Sequence, residues 1–152
     1  MTQPLSYDLL WQIAMEQMVG EPLTRLDEVI DWEPVARLLQ PVEVAHDARQ
    51  GGPAGYAPLA LARALLLGEW YGLGFERLAR ALRLRLDFAL FCGFDPLGPT
   101  PSAPALCRAR RRLGELLPKI RSEIDAQLDR ADLDLTPAHG ALSHIRVRNR
   151  HV

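Results

Sequence analysis

A strongly apolar segment at the centre of the chain constrains the fold more than any other feature of the sequence. Pro58 suits the first turn of a helix, and the residues after it, LALARALLLGEWYGL, are apolar on most sides of that helix. A helix with so little polar surface must be enclosed by other elements. Its uncharged apolar run, at 64–68, is also far too short to span a bilayer. The sequence therefore predicts a buried helical spine at residues 58–73 and no membrane span.

Amphipathic segments on both sides of this spine predict the remaining helices. The third predicted helix should end at Pro41, and the glycine- and proline-rich stretches at 43–58 and 94–104 should be loops. The last helix, which Pro118 opens, can either pack in the core or bind a partner. The predicted helices span residues 6–20, 24–32, 32–40, 58–73, 75–86, 87–93, 102–113 and 118–131.

These elements predict an all-α fold, a multi-helix orthogonal bundle of about seven helices in one domain at residues 1–135. Residues 136–152 are expected to form a basic, disordered tail. Cys92 and Cys107 fit small hydrophobic positions in a reduced chain, and the N-terminus lacks the pattern of a signal peptide. We therefore expect a cytoplasmic protein.

The net charge of -1 hides a strong asymmetry along the chain. Residues 1–60 hold three arginines against nine acids, whereas residues 61–113 hold nine arginines against four acids. Residues 114–152 hold equal numbers of basic and acidic residues. A local basic block, rather than the total charge, is what attracts nucleic acid. A solvated arginine face that serves only solubility is the alternative.

The basic block is concentrated on two predicted helices. On the helix at 102–113, Leu106, Ala109 and Leu113 lie on one face, and three arginines lie on the opposite face, with Arg110 flanking the apolar edge. Guanidinium groups clustered in this way suit a phosphate-lined groove. The predicted DNA-contacting residues are Arg108, Arg110, Arg111, Arg112, Arg77, Arg80, Arg83 and Arg85.

Four acids near the N-terminus, Asp27, Glu28, Asp31 and Glu33, resemble a metal cluster at first sight. We interpret them instead as the first turns of two helices, where acids complement the helix dipole. No cofactor and no metal ion are expected.

Several motifs occur in a fixed order along the chain. They are Gly52-Pro53, Tyr56-Ala57-Pro58-Leu59, Arg63 to Leu67, Tyr71-Gly72-Leu73, Asp87-Phe88 with Phe91 and Gly93-Phe94, and Leu106-Cys107-Arg108 with Arg110 and Arg112-Leu113. The segment LDEVIDW at 26–32 precedes them. In this order the motifs resemble the N-terminal domain of bacterial insertion-sequence transposases of the IS-five type. The resemblance implies a helix-turn-helix-like part that binds the inverted repeats at the element ends.

The chain also departs from the pattern of that family. Ser102 stands where the family tends to have Asp, Pro104-Ala105 replaces a Thr pair, and Ala109 replaces Phe, so we expect looser helix capping and a missing core aromatic. Near the end, Gly140 to Ser143 match the strand that precedes the family's first catalytic Asp, but His144 occupies the Asp position.

No Asp or Glu follows Asp134 in the chain, although two-metal phosphoryl transfer needs several carboxylates. The resemblance therefore implies a non-enzymatic DNA-binding domain, truncated or frameshifted before the catalytic domain. Its expected partners are double-stranded DNA and either a second copy or an intact transposase. Two alternatives stay open: a helical self-association module that inhibits transposase without binding DNA, and a domain supplied in trans to a catalytic partner.

Overall fold

The computed structural model describes residues 6–18, 22–48, 55–138 and 144–149. Within these residues the chain is mostly helical, which confirms the helical class of the prediction, and it adds one pair of strands. The helices are α1 (Tyr7–Met18), α2 (Pro22–Val29), α3 (Glu33–Ala48), α4 (Pro58–Tyr71), α5 (Phe75–Leu84), α6 (Leu86–Cys92), α7 (Ala103–Leu113) and α8 (Leu116–Arg130). The strands are β1 (Leu133–Ala138) and β2 (His144–Asn149). None of the described helices is long and apolar enough to cross a membrane.

Helix α4 is the predicted spine, and most of its side chains are buried. Pro58 occupies its first turn, and Gly72 ends it in the left-handed region at φ 66°. It contacts α3, α5, α6, α7 and both strands. Gly68 allows α5 to approach closely, because a Cβ atom at this position would lie 3.0 Å from Cδ2 of Leu78. The apolar composition of this segment therefore reflects packing against other elements on nearly every side.

A partly buried arginine, Arg63, joins α4 to two other helices and to the segment before α3. Its Nη1 donates to the Phe91 carbonyl at 2.8 Å and lies 3.4 Å from Oδ1 of Asp27. Its Cζ lies 4.1 Å from the ring centroid of Trp32, whose Nε1 donates to the same Asp27 oxygen at 2.7 Å. Burial lowers the pKa of Arg63, and the Asp27 charge only partly offsets this effect. One guanidinium thus connects α2, the segment before α3, and α6.

A buried glutamine, Gln127, makes a second polar connection, between α8 and the segment before α3. The Asp31 N–H donates to Oε1 of Gln127 at 2.7 Å, and Nε2 of Gln127 donates to the Asp31 carbonyl at 2.8 Å. The same amide also donates to Glu123 at 3.1 Å. Around it, the α8 residues Ile120, Ile124 and Leu128 are all buried. The apolar stripe of α8 is therefore used for packing, which decides between its two predicted roles.

The prediction that Pro41 ends the third helix is wrong. Helix α3 continues through Pro41 to Ala48, into the stretch predicted to be a loop. A proline inside a helix removes one hydrogen bond to the carbonyl four residues earlier, here that of Arg37. Pro41 is exposed, so water can reach this side of the helix, and the bonds on either side of it maintain the helical path.

The expectation of a disordered tail after residue 135 also needs correction. β1 and β2 form an antiparallel pair whose register runs from Leu133 opposite Asn149 to Ala138 opposite His144. β1 contacts α8, β2 contacts α2, and both contact α4. Leu133 and Leu135 alternate along β1 and pack against the core. The match at 140–143 lies outside the described residues, and the predicted boundary at 135 falls within β1.

We predict that Arg63→Ala lowers the free energy of unfolding by about 2–3 kcal/mol, because it removes a charged donor and leaves its partners without it. Urea denaturation would measure this loss. Arg121→Ala is the matched control, since its ion pair with Glu69 is largely exposed and should contribute at most about 1 kcal/mol. Equal losses of unfolding free energy in the two variants would show that Arg63 stabilises the fold no more than an exposed ion pair does.

We further predict that Gln127→Leu destabilises the protein by about 1–3 kcal/mol, because the backbone N–H and carbonyl of Asp31 lose their partner. The same substitution at Gln40, which is exposed on α3, serves as the control and should change stability by less than about 0.5 kcal/mol. Thermal and urea unfolding would compare the two. If Gln127→Leu is as stable as Gln40→Leu, the amide bridge does not connect α8 to the segment before α3.

Candidate nucleic-acid interface

Two packed helices, α5 and α7, carry most of the predicted DNA-contacting arginines. Helix α5 buries Leu78 and Leu82, which leaves Arg77, Arg80 and Arg83 exposed on its other side. These three arginines line a cleft of about 550 Å³ whose opposite wall is formed by residues 100–104. Glu76 is the acidic residue in the cleft wall. The structure thus places three guanidiniums of α5 beside the start of α7.

The start of α7 is fixed by Ser102. Its Oγ accepts the Ala105 N–H at 3.2 Å, and Pro104 lies in the first turn. The predicted cap is confirmed. The expectation that Ser102 caps the helix more loosely is not confirmed. A capped helix N-terminus carries partial positive charge, which adds to that of the arginines across the cleft.

The face of α7 that points away from the core carries three exposed arginines, Arg108, Arg111 and Arg112. The predicted inner face, Leu106, Ala109 and Leu113, is buried as expected, and Ala103 joins it. Nη2 of Arg111 lies 3.4 Å from Sγ of Cys107, one turn earlier. Among the described residues, neither these three arginines nor the three on α5 make an ion pair. Their charge is therefore available to an external anion.

Arg110 lies apart from the other α7 arginines. Its side chain borders a different cleft, of about 320 Å³, together with Leu65, Glu69 and Leu117. The predicted position at the apolar edge is confirmed by these neighbours. Because Glu69 is an acid on the same cleft wall, Arg110 occupies a different electrostatic environment from that of Arg108 and its neighbours.

Arg85 makes structural contacts within the chain, and its predicted phosphate contact stays a prediction. Its Nη2 lies 2.7 Å from Oδ2 of Asp87, and its Cζ lies 4.2 Å from the Phe88 ring centroid and 5.1 Å from that of Tyr71. Burial acts to lower the pKa of Arg85, but its hydrogen bond to Asp87 and the nearby negative charge outweigh burial and raise it. This guanidinium is half-buried and already engaged, so the structure separates it from the other α5 arginines.

The N-terminal acids have structural explanations. Asp31 accepts the Glu33 N–H at 3.0 Å at the start of α3, as predicted. Asp27 and Glu28 instead lie near the end of α2, where Asp27 holds Arg63 and Trp32. Across the described part of the chain, no three His, Cys, Asp or Glu side chains are grouped to hold a metal ion.

The two cysteines differ in environment. Cys92 is buried and burial raises the pKa of its thiol, whereas Cys107 is only partly covered. The prediction of a small hydrophobic position therefore holds for Cys92 and only in part for Cys107.

Sequence reasoning missed the structural use of two arginines in the basic block. Arg63 was counted as basic charge without a role, and Arg85 was counted with the exposed arginines of α5. The signal for Arg85 was local, because Asp87 follows two residues later. For Arg63 the partners lie 36 and 28 residues away, so the sequence offered no local signal.

Comparison with known proteins gives one match. A family described as Transposase domain (DUF772) matches residues 12–112, which run from α1 to the last arginine of α7. Neither the curated proteins nor the solved structures give a match. The matched segment includes both arginine-bearing helices and the Arg63 anchor.

We predict that Ser102→Ala lowers the free energy of unfolding by about 1 kcal/mol, because the Ala105 N–H loses its side-chain acceptor. Ser102→Asp should retain the cap and most of the stability. Ser122→Ala, at an exposed position inside α8, is the control and should have little effect. Circular dichroism during thermal unfolding would compare the three, and an unchanged midpoint for Ser102→Ala would argue against the cap.

Proposed function

Because the chain belongs to the Transposase domain (DUF772) family, we propose that it binds duplex DNA through the surface formed by α5 and α7. The observation that carries this proposal is the cleft in which Arg77, Arg80 and Arg83 face the capped start of α7. The membership itself supports a role associated with transposition. The DNA contact is our inference from the arrangement of charge.

The shape and charge of α7 fit a DNA groove. A helix of this length is about 16 Å long, and the major groove, about 12 Å wide, admits one helix. Arg108, Arg111 and Arg112 lie on the side of α7 that a duplex can approach, while its opposite side is held by the core. We propose that these arginines border the groove in a helix-turn-helix-like manner, and that the α5 arginines hold the adjacent phosphates.

The resemblance to transposases of the IS-five type suggests which DNA the surface binds. We propose that its target is the terminal inverted repeat of the mobile element. Phosphate contacts alone do not select a sequence, so specificity requires at least one side chain at a base edge. Arg108, Arg111 and Arg112 are the side chains that we assign to that role. Arg85 is left out because it is paired with Asp87, and Arg110 is left out because it lines the separate cleft that Glu69 also lines. A protein that handles genomic DNA would act in the cytoplasm of a bacterial cell.

The proposal assigns binding, and no strand cleavage, to these residues. Two-metal cleavage of DNA needs a group of carboxylates, and the nearest sequence match to such a site has His144 in place of an acid. Incubation with element-end DNA and Mg²⁺ or Mn²⁺, followed by denaturing electrophoresis, is the direct test. Strand cleavage that depends on the metal and on this chain would refute this part of the proposal.

Self-association is the second candidate function, and the structure changes the basis for it. The stripe Ile120, Ile124 and Leu128 is buried in the core and leaves no apolar face on α8 for a partner. Of the described helices, α1 instead carries the most exposed large apolar side chains. Gel filtration over a range of protein concentrations would detect a dimer, and a dimer without DNA binding would favour this candidate.

We predict that two triple variants weaken DNA binding and lower its salt dependence. Arg108→Ala/Arg111→Ala/Arg112→Ala removes the groove face, and Arg77→Ala/Arg80→Ala/Arg83→Ala removes the cleft. Each lost phosphate contact should make the negative slope of log affinity against log salt less steep by about 0.9. Fluorescence anisotropy with labelled inverted-repeat duplex at several salt concentrations would measure both quantities.

The matched control is Arg25→Ala/Arg37→Ala/Arg130→Ala, which removes the same charge from exposed positions on α2, α3 and α8. This control variant should retain most of the affinity and the same salt dependence. If all three triple variants lose affinity equally, the effect is one of net charge and the α5–α7 surface is not the binding site. If only the α7 variant loses preference for the inverted repeat over unrelated duplex, its arginines read bases.

A further inference from the structure

A groove separate from the basic cleft has an apolar floor and an acidic border. It encloses about 680 Å³ between α1, α2 and α6. Leu23, Phe91 and Phe94 contribute apolar surface. The acids that line it are Asp27, Glu28, Asp87 and Asp95, and none of the described residues that line it is a lysine or an arginine. The groove therefore combines apolar surface with one sign of charge.

Helix α1 forms one wall of this groove and is itself unusually apolar for an exposed helix. Tyr7, Trp11 and Met15 are spaced four residues apart on the groove side. All three remain at least 37% exposed. Ile13 is 38% exposed, and Leu9, one turn before it, is 42% exposed. A helix with apolar side chains on two exposed sides is typical of an element that binds a partner.

Two of the acids that line the groove, Glu28 and Asp95, make no ion pair with another described residue and can meet a partner's charge. Glu28 is exposed on α2, and Asp95 is exposed with Oδ1 held only by the Tyr7 hydroxyl and the Leu97 N–H. Asp27 and Asp87 are already paired with Arg63 and Arg85. The border thus offers unneutralised negative charge beside apolar surface.

We propose that this groove receives an amphipathic, positively charged helix of a partner protein. An apolar stripe on that helix would fill the groove between Trp11 and Phe94, and its lysines or arginines would meet Glu28 and Asp95. Helices with apolar residues at i, i+3, i+4 and i+7 bind hydrophobic grooves in this way. A second copy of the chain is a poor occupant of the groove, because a symmetric contact would place the acidic border of one copy against that of the other, and the like charges would repel.

A pair of synthetic helical peptides tests the proposal. Both carry leucine at i, i+3, i+4 and i+7 over 18 residues, and the remaining positions are lysine in one and glutamate in the other. We expect the lysine peptide to bind the full chain with 1:1 stoichiometry by isothermal titration calorimetry, and the glutamate peptide to bind at least about tenfold more weakly.

Variants of the chain locate the binding. Glu28→Lys/Asp95→Lys should weaken binding of the lysine peptide by at least about tenfold, whereas Glu115→Lys/Asp125→Lys, with the same charge change at exposed sites near and on α8, should retain it. Trp11→Ala/Met15→Ala, which changes exposed positions only, should also weaken it about tenfold.

Three results would overturn the proposal. In the first, both charge variants bind the peptide equally, so attraction is general. In the second, Trp11→Ala/Met15→Ala binds like the unchanged chain, so the groove is not involved. In the third, the chain dimerises without peptide and the Trp11→Ala/Met15→Ala variant stays monomeric, which would assign the groove to a second copy. The DNA-binding measurements are independent of these results, since the arginines of α5 and α7 line other surfaces.

Discussion

The contact between Arg63 and its partners is the interaction on which the arrangement of the helices depends. A guanidinium that is largely removed from water is costly unless its charge and its donors are satisfied. Here Asp27 supplies charge, the Phe91 carbonyl accepts a hydrogen bond, and the Trp32 ring covers the guanidinium plane. These partners belong to different segments, so they reach the arginine together only when α2, α4 and α6 take their places, and its Nε stays without a hydrogen-bond partner among the described residues.

The second polar connection completes this arrangement. Gln127 exchanges two hydrogen bonds with the backbone of Asp31 and so fixes α8 relative to the start of α3. The residues nearby, from Asp27 to Trp32, thus contact α4, α6 and α8. The acidic segment that precedes the spine has a structural function, because Asp27 pairs with Arg63 and Asp31 caps the start of α3. The frame that results holds α5 and α7 with their outer sides exposed.

The arginines of the basic block consequently divide into three groups. Arg63 and Arg85 are partly buried, stack on aromatic rings and are paired with acids. Arg110 lies in a separate cleft beside Glu69. The remaining six lie on the exposed sides of α5 and α7, without ion pairs among the described residues. A separate groove between α1, α2 and α6 is acidic and apolar, so the two surfaces suit partners of opposite charge.

The sequence by itself determined what depends on neighbours along the chain. The apolar composition of 58–73 specifies a buried helix, Ser102 caps α7, and the positions of Leu106, Ala109 and Leu113 predict which side of α7 is buried. Each follows from helical periodicity or from a hydrogen bond that spans three residues. Seven of the eight predicted contact arginines are exposed for the same reason, although periodicity cannot establish that they bind DNA.

Only the tertiary structure decided what depends on distant residues. The partners of Arg63, the use of the α8 stripe, and the cleft between α5 and the start of α7 arise from contacts between separate elements. The path of α3 through Pro41 and the pairing of β1 with β2 were also missed, because helix breaking and disorder were inferred from local composition. Long-range contacts can stabilise a segment that its own composition disfavours, and a single sequence does not reveal which segments will meet.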